Sequence, residues 1–212
     1  MRRGFKYYAM ISFACISPHP PIILPGIGSK EEIGQVKNTV DALRKLGGRL
    51  KKIGPDLIVI SSPHPDWGFE VPLHFLAKGL RSRVETFQTR TDSPREHFNA
   101  GKDYYAKELA NSKEKTAIIA SGDLSHRLKA DGPYGLHPDG AKFDKALIDG
   151  LKNIDVAAIL ALDDKYPEAG ECGLRSFCFV LGILKTSQVK WQPEILSYEA
   201  PFGVGYLVAK LA

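Results

Sequence analysis

The sequence predicts an α/β fold: a single domain, residues 1–212, with a central mostly parallel or mixed sheet flanked by helices and a metal pocket at the strand C-terminal ends. Three observations predict it. Short apolar runs (Tyr8 to Ile16, Leu57 to Ser61, Thr116 to Ala120) alternate with longer amphipathic segments, the pattern of buried strands connected by helices. Each run is closed by a loop carrying a histidine: Ser17-Pro18-His19-Pro20, Ser62-Pro63-His64-Pro65 and Ser121-Gly122-Asp123-Leu124-Ser125-His126. Ligands of open α/β sheets bind beyond the carboxyl ends of the strands, so three imidazoles arriving by three strands point to one site. Finally, 212 residues with 43% hydrophobic content suit one domain with a substantial core.

The elements follow in order. Tyr8 to Ile16 is the first strand, followed by the Pro/Gly-rich loop Pro18 to Ser29. Ser29 is an N-cap with Glu31 and Glu32 in the first turn. One helix then runs from Lys30 to Ile53, with Ile33, Val36, Val40, Leu43, Leu46 and Leu50 on one stripe, and Gly54-Pro55 stops it. Leu57 to Ser61 is the second strand. Pro72 to Leu80 is helical and Arg83 to Gln88 is a strand. Ser93 caps a helix that begins at Pro94, favoured at a first helical position, and continues to Ala110. After the strand Thr116 to Ala120 come helices Pro138 to Leu151, Val156 to Leu162 and Glu171 to Leu184. Two β-rich runs, Lys190 to Tyr198 and Gly203 to Ala209, close the chain.

Charge and cysteine usage narrow the function classes. The net charge of +5 is spread over helical segments (Lys37, Arg44, Lys45, Arg49, Lys51, Lys52), which reads as a solvated surface and not a nucleic-acid groove. No run is long enough to span a bilayer, so no membrane partner is expected. Met1-Arg2-Arg3 before an apolar stretch has the outline of a leader, but Lys6 and Ser12 interrupt it and it runs straight into His19; it reads as strand. Three cysteines, Cys15, Cys172 and Cys178, with no CxxC pair, argue against a disulfide framework and suggest a cytoplasmic location.

Two histidines and one carboxylate around open positions are the non-haem Fe(II) pattern. His19 and His64 are the ligand candidates, each held in a Ser-Pro-His-Pro loop stiffened by proline. The third ligand has three candidates: Glu171 or Cys172 at a helix start, or Glu199 between the last two β-rich runs. His126 is the acid/base candidate, in a loop whose carboxylate, Asp123, and two serine hydroxyls can set its tautomer. His74, His97 and His137 sit in an apolar helical run, on a polar helix face and in a Gly-rich loop, and carry no chemistry. The glycines form neither a dinucleotide fingerprint nor a P-loop.

Several blocks together are similar to a known family: Ile16-Ser17-Pro18-His19-Pro20-Pro21, Ser62-Pro63-His64, Val71-Pro72-Leu73-His74-Phe75-Leu76, Ser121 to Leu128, Glu171-Cys172-Gly173-Leu174-Arg175-Ser176 and Leu196 to Tyr206. The chain resembles the LigB-type class III extradiol ring-cleaving dioxygenases, and among them the prokaryotic Memo-like branch. The resemblance implies a single α/β domain and an Fe(II) ion held by His19, His64 and Glu171, with Cys172 in that third role in Memo-like relatives. It implies His126 and Asp123 as catalytic residues, a small catechol-type aromatic and O2 as substrates, and it leaves room for a homo-oligomer. The chain departs from the family where Trp67 stands in place of the histidine of an Asp-His-Gly motif, which removes one proton-transfer group. The alternative it implies is a Memo-like binding or regulatory protein with a non-catalytic metal pocket.

Overall fold

The computed structural model describes residues 10–212. Among these residues six strands form one mixed sheet: β1 (Met10–Ser17), β2 (Leu57–Ser62), β3 (Arg83–Gln88), β4 (Lys115–Ser121), β5 (Glu194–Glu199) and β6 (Tyr206–Lys210). Their order is β3-β2-β4-β1-β6-β5. The first four run parallel, and β6 and β5 are added antiparallel at one edge. The expected fold class is therefore the observed one; the beginning of the first predicted strand lies outside the described residues.

Alternation along the central strands builds two cores. Phe13, Cys15, Ile58, Ile60, Ala117 and Ile119 point to one face. Helices α1 (Lys30–Gln35), α2 (Lys37–Ile53) and α3 (Trp67–Leu76) cover it. Ala14, Ile16, Leu57, Val59, Ile118 and Ala120 point to the other. There α4 (Pro94–Tyr104), α5 (Pro138–Lys152), α6 (Val156–Leu160), α7 (Leu162–Lys165) and α8 (Leu174–Ser187) pack. Because both faces are covered, the central strands read as nearly continuous apolar runs.

Two departures from the expected helix bounds on the α1–α3 face bear on the site. The helix expected over 30–53 breaks at Val36 (φ −114°, ψ 31°). The Glu199 carboxylate explains the break: it accepts from Thr39 N–H at 2.7 Å, Thr39 Oγ1 at 2.6 Å and Asn38 Nδ2 at 2.8 Å, capping a fresh N-terminus for α2. The helix expected over 72–80 starts earlier, at Trp67, with Pro72 inside it. Proline has no N–H to give the carbonyl four residues back, so Gly68 O is left for another donor.

Candidate metal centre

Strands β2, β4 and β1 are neighbours, and their carboxyl ends deliver His64, Asp123 with His126, and His19 to one place. These residues line a cleft of about 480 Å³ together with Trp67, Tyr134, Glu171, Cys172 and Tyr206. The His19 and His64 rings meet edge to face, their centroids 5.1 Å apart. Donor atoms of His19, His64 and Cys172 all lie within 4.8 Å of one another.

The orientation of His19 follows from the proline in α3. Ser121 Oγ donates its single hydrogen to the carbonyl that Pro72 leaves free, Gly68 O, at 2.5 Å. It must then accept from its other close partner, His19 Nδ1, 3.0 Å away. The proton of His19 is thereby placed on Nδ1, and the Nε2 lone pair faces the cleft, 3.5 Å from Cys172 Sγ. Burial, and then the neighbouring His64, hold the His19 pKa down to about 3, so the ring is neutral, as a metal ligand must be. Losing such an outer partner typically costs 10–100-fold in metal affinity. Ser121→Ala should therefore weaken metal binding by roughly 10–100-fold; isothermal titration of metal-free protein measures it, and unchanged affinity would remove this role.

Cys172 sits where the β4 loop touches the start of α8. Its Sγ accepts from Asp123 N–H at 3.3 Å. Burial, and next the Asp123 carboxylate, push its pKa well above the ordinary thiol range. Without a cation it is a thiol; a cation between it and the imidazoles would make the thiolate favourable. The donor set therefore fits a divalent first-row metal of borderline softness, such as zinc or ferrous iron.

Glu171, the carboxylate expected as third ligand, lies on the cleft wall but is outside this donor group. Its Oε2 accepts from Leu174 N–H at 2.6 Å, and its Oε1 pairs with Arg175 Nη1 at 3.2 Å. It caps α8, which begins at Leu174 and not at the expected Glu171. Burial raises its pKa to about 7. Glu199 is likewise committed elsewhere, to the start of α2.

His126 lines the cleft, and its Nε2 is buried with no hydrogen-bond partner. Burial lowers its pKa, and Asp123 opposes that. Asp123 accepts from His19 N–H at 2.9 Å, and burial raises its carboxyl to about 6. The two serines expected to set the His126 tautomer are engaged otherwise: Ser121 with His19, and Ser125 Oγ with Ala169 O at 2.7 Å. Trp67 lies against His64, ring centroids 5.4 Å apart, and Tyr134 against His126 at 5.0 Å. Tyr134 was not singled out in the sequence, because a half-exposed loop tyrosine carries no pattern. Of the remaining histidines, His74 lines a separate cleft, His137 caps α5, and His97 is buried against Arg90 O, not on a polar face as expected.

Asp144 of α5 anchors the loop that carries His126. Its carboxylate accepts from Ser125 N–H at 2.8 Å and Tyr198 OH at 2.6 Å. Burial raises its pKa to about 6. With the folded value above the unfolded one, its stabilising protonation is present below about pH 4 and lost as pH rises through about 6. Asn carries no charge: its Oδ1 can still accept from Ser125 N–H, and its Nδ2 can donate to the Tyr198 hydroxyl oxygen in place of the bond that Tyr198 now gives. Asp144→Asn should thus gain stability relative to the parent as pH rises from 4 to 7, on the order of 2 kcal/mol, read from denaturation at each pH; a pH-independent difference would contradict it.

A family model described as the catalytic LigB subunit of aromatic ring-opening dioxygenase matches residues 64–209, which include His64, Asp123, His126, Glu171 and Cys172, with His19 before the matched segment. Protein CA_C1420 of Clostridium acetobutylicum is 30% identical over 265 aligned residues, covering 92% of this chain and 56% of that protein. The chain thus spans about half the length of this curated relative. The crystal structure of the uncharacterized protein JW3007 from Escherichia coli K12 superposes with a TM-score of 0.62 at 14% identity, covering 94% of this chain and 99% of that one, a likeness of fold alone. Among the described residues no helix is long and apolar enough to cross a membrane.

Proposed function

This chain belongs to the LigB family, and from that premise we propose that it binds a divalent metal through His19, His64 and Cys172 and, with Fe(II), opens the ring of a catechol-type aromatic using O2. The observation that carries the reading is the convergence of two strand-end loops and the α8 start on one donor group, beside the acid/base histidine of a third strand-end loop. A bound metal would supply open coordination positions for both substrates. The chain's own residues do the rest. Trp67 and Tyr134 offer flat apolar walls for an aromatic ring. His126, neutral and with an unpartnered Nε2, takes a proton from a phenolic hydroxyl and returns it later. Asp123 holds the His19 loop through its main-chain N–H.

The thiolate in the third position favours a second reading, a metal-binding protein with a non-catalytic pocket. Trp67 also favours it, since an indole N–H donates a hydrogen bond but cannot shuttle a proton. Positioned acid/base groups contribute on the order of 10²–10⁴-fold in rate, so ring cleavage should be slow. Anaerobic reconstitution with Fe(II), a catechol panel and oxygen uptake decide between the readings. Slow turnover that His126→Ala abolishes while one metal stays bound supports dioxygenase chemistry. No uptake with any catechol supports the binding protein. A cytoplasmic location, an aromatic small molecule as partner and self-association belong to the same proposal.

A further inference from the structure

We infer that the cleft takes a second cation, on Asp123, His126 and Cys172, so that the Cys172 sulfur bridges two metals. This rests on the reading of His19, His64 and Cys172 as the first metal site. Donor atoms of Asp123, His126 and Cys172 form their own group within 4.8 Å of one another, with Sγ common to both groups. Three points so spaced lie no farther than about 2.8 Å from a common centre, so side-chain shifts of roughly half an ångström bring them to ordinary metal–ligand distances.

Independent features of these residues point the same way. His126 Nε2 is shielded from solvent and meets no donor or acceptor, a state that buried polar atoms rarely keep. Asp123 spends Oδ1 on His19 N–H, while Oδ2 lies 3.9 Å from His19 Nε2, too far for a hydrogen bond. A thiolate has lone pairs enough for two cations. The group is also held in place before any cation arrives: Gly173 N–H donates to Asp123 O at 3.0 Å, and Asp123 N–H points to Sγ. The second cation would bind more weakly than the first, because two divalent charges share one thiolate and one carboxylate. It would also occupy the Nε2 lone pair that proton transfer needs. Ring cleavage should therefore rise with the first equivalent of metal and fall with the second.

The test is anaerobic titration of the metal-free full chain with Co(II), followed by equilibrium dialysis, metal analysis and electron paramagnetic resonance. The parent should take two equivalents per chain. Its Co(II) resonance should grow to the first equivalent and diminish with the second, as the shared sulfur couples the two spins. Asp123→Asn, which keeps an acceptor for His19 N–H, and His126→Ala should each take one equivalent and lose that decline; circular dichroism checks that both fold. A parent that saturates at one equivalent overturns this inference and leaves the first site standing. A parent that binds none overturns both. Two equivalents in the parent and in both variants would place the second cation elsewhere and overturn the inference as well.

Discussion

Cys172→Ala should lower affinity for a divalent metal by about 10²–10³-fold, while Glu171→Gln changes it only a few-fold. The two neighbours make opposite commitments. Cys172 Sγ lies 3.5 Å from His19 Nε2 inside the donor group, whereas both Glu171 oxygens are used by Leu174 N–H and Arg175. Tetrahedral zinc sites yield about 10–16 kcal/mol in total, so one of four ligands is worth roughly 3–4 kcal/mol, the size of the expected loss. Glu171→Gln retains an acceptor for Leu174 N–H but loses the ion pair with a partly buried Arg175, so its effect should be on folding stability. Titration with Zn(II) against a competing chelator, alongside thermal denaturation, separates the two. The reverse result, a large affinity loss in Glu171→Gln and none in Cys172→Ala, would restore the two-histidine, one-glutamate arrangement that the sequence suggested.

That arrangement illustrates how far the sequence could be read. His19, His64 and His126 were legible because each follows an apolar run at a strand end, and strand ends of one parallel sheet share one side of the molecule. The choice between residues 171 and 172 was not. Both line the cleft, but a one-residue step around the turn before α8 separates a carboxylate spent on the helix start and Arg175 from a thiol inside the donor group, and no periodicity records it. Glu199 stayed a candidate for a similar reason: a carboxylate beside a turn suits a metal or a helix N-terminus equally, and only the fold places α2 beside it. The Pro72–Gly68–Ser121–His19 sequence of contacts joins residues up to 102 positions apart, so the tautomer of His19 has no local signature. Boundaries erred where a side chain outside the helix caps it: Glu199 of β5 after Val36, and Glu171, three residues upstream, at Leu174.

Gly122→Ala should destabilise the metal-free protein by about 2–4 kcal/mol and lower metal affinity by at least about tenfold. A Cβ at position 122 would stand 2.2 Å from Gly173 Cα and 3.2 Å from Gly173 N, well inside the contact distance of carbon atoms. The obstacle is backbone, so no side chain can rotate away; the β4 loop and the start of α8 must separate. Those two segments carry Asp123 and Cys172, and their close approach is what lets Gly173 N–H reach Asp123 O and Asp123 N–H reach Cys172 Sγ. Gly122 N–H also donates to Ser17 O at 3.0 Å, two residues before His19, so displacement propagates to the first histidine as well. Gly48→Ala is the matched control: nothing lies within 4 Å of its added carbon, on the exposed face of α2, and it should gain up to about 1 kcal/mol from helix propensity. Chemical denaturation with and without Zn(II) measures both. If Gly122→Ala loses stability yet binds metal as tightly as the parent, the contact between these loops serves the fold alone and the site is positioned by other means.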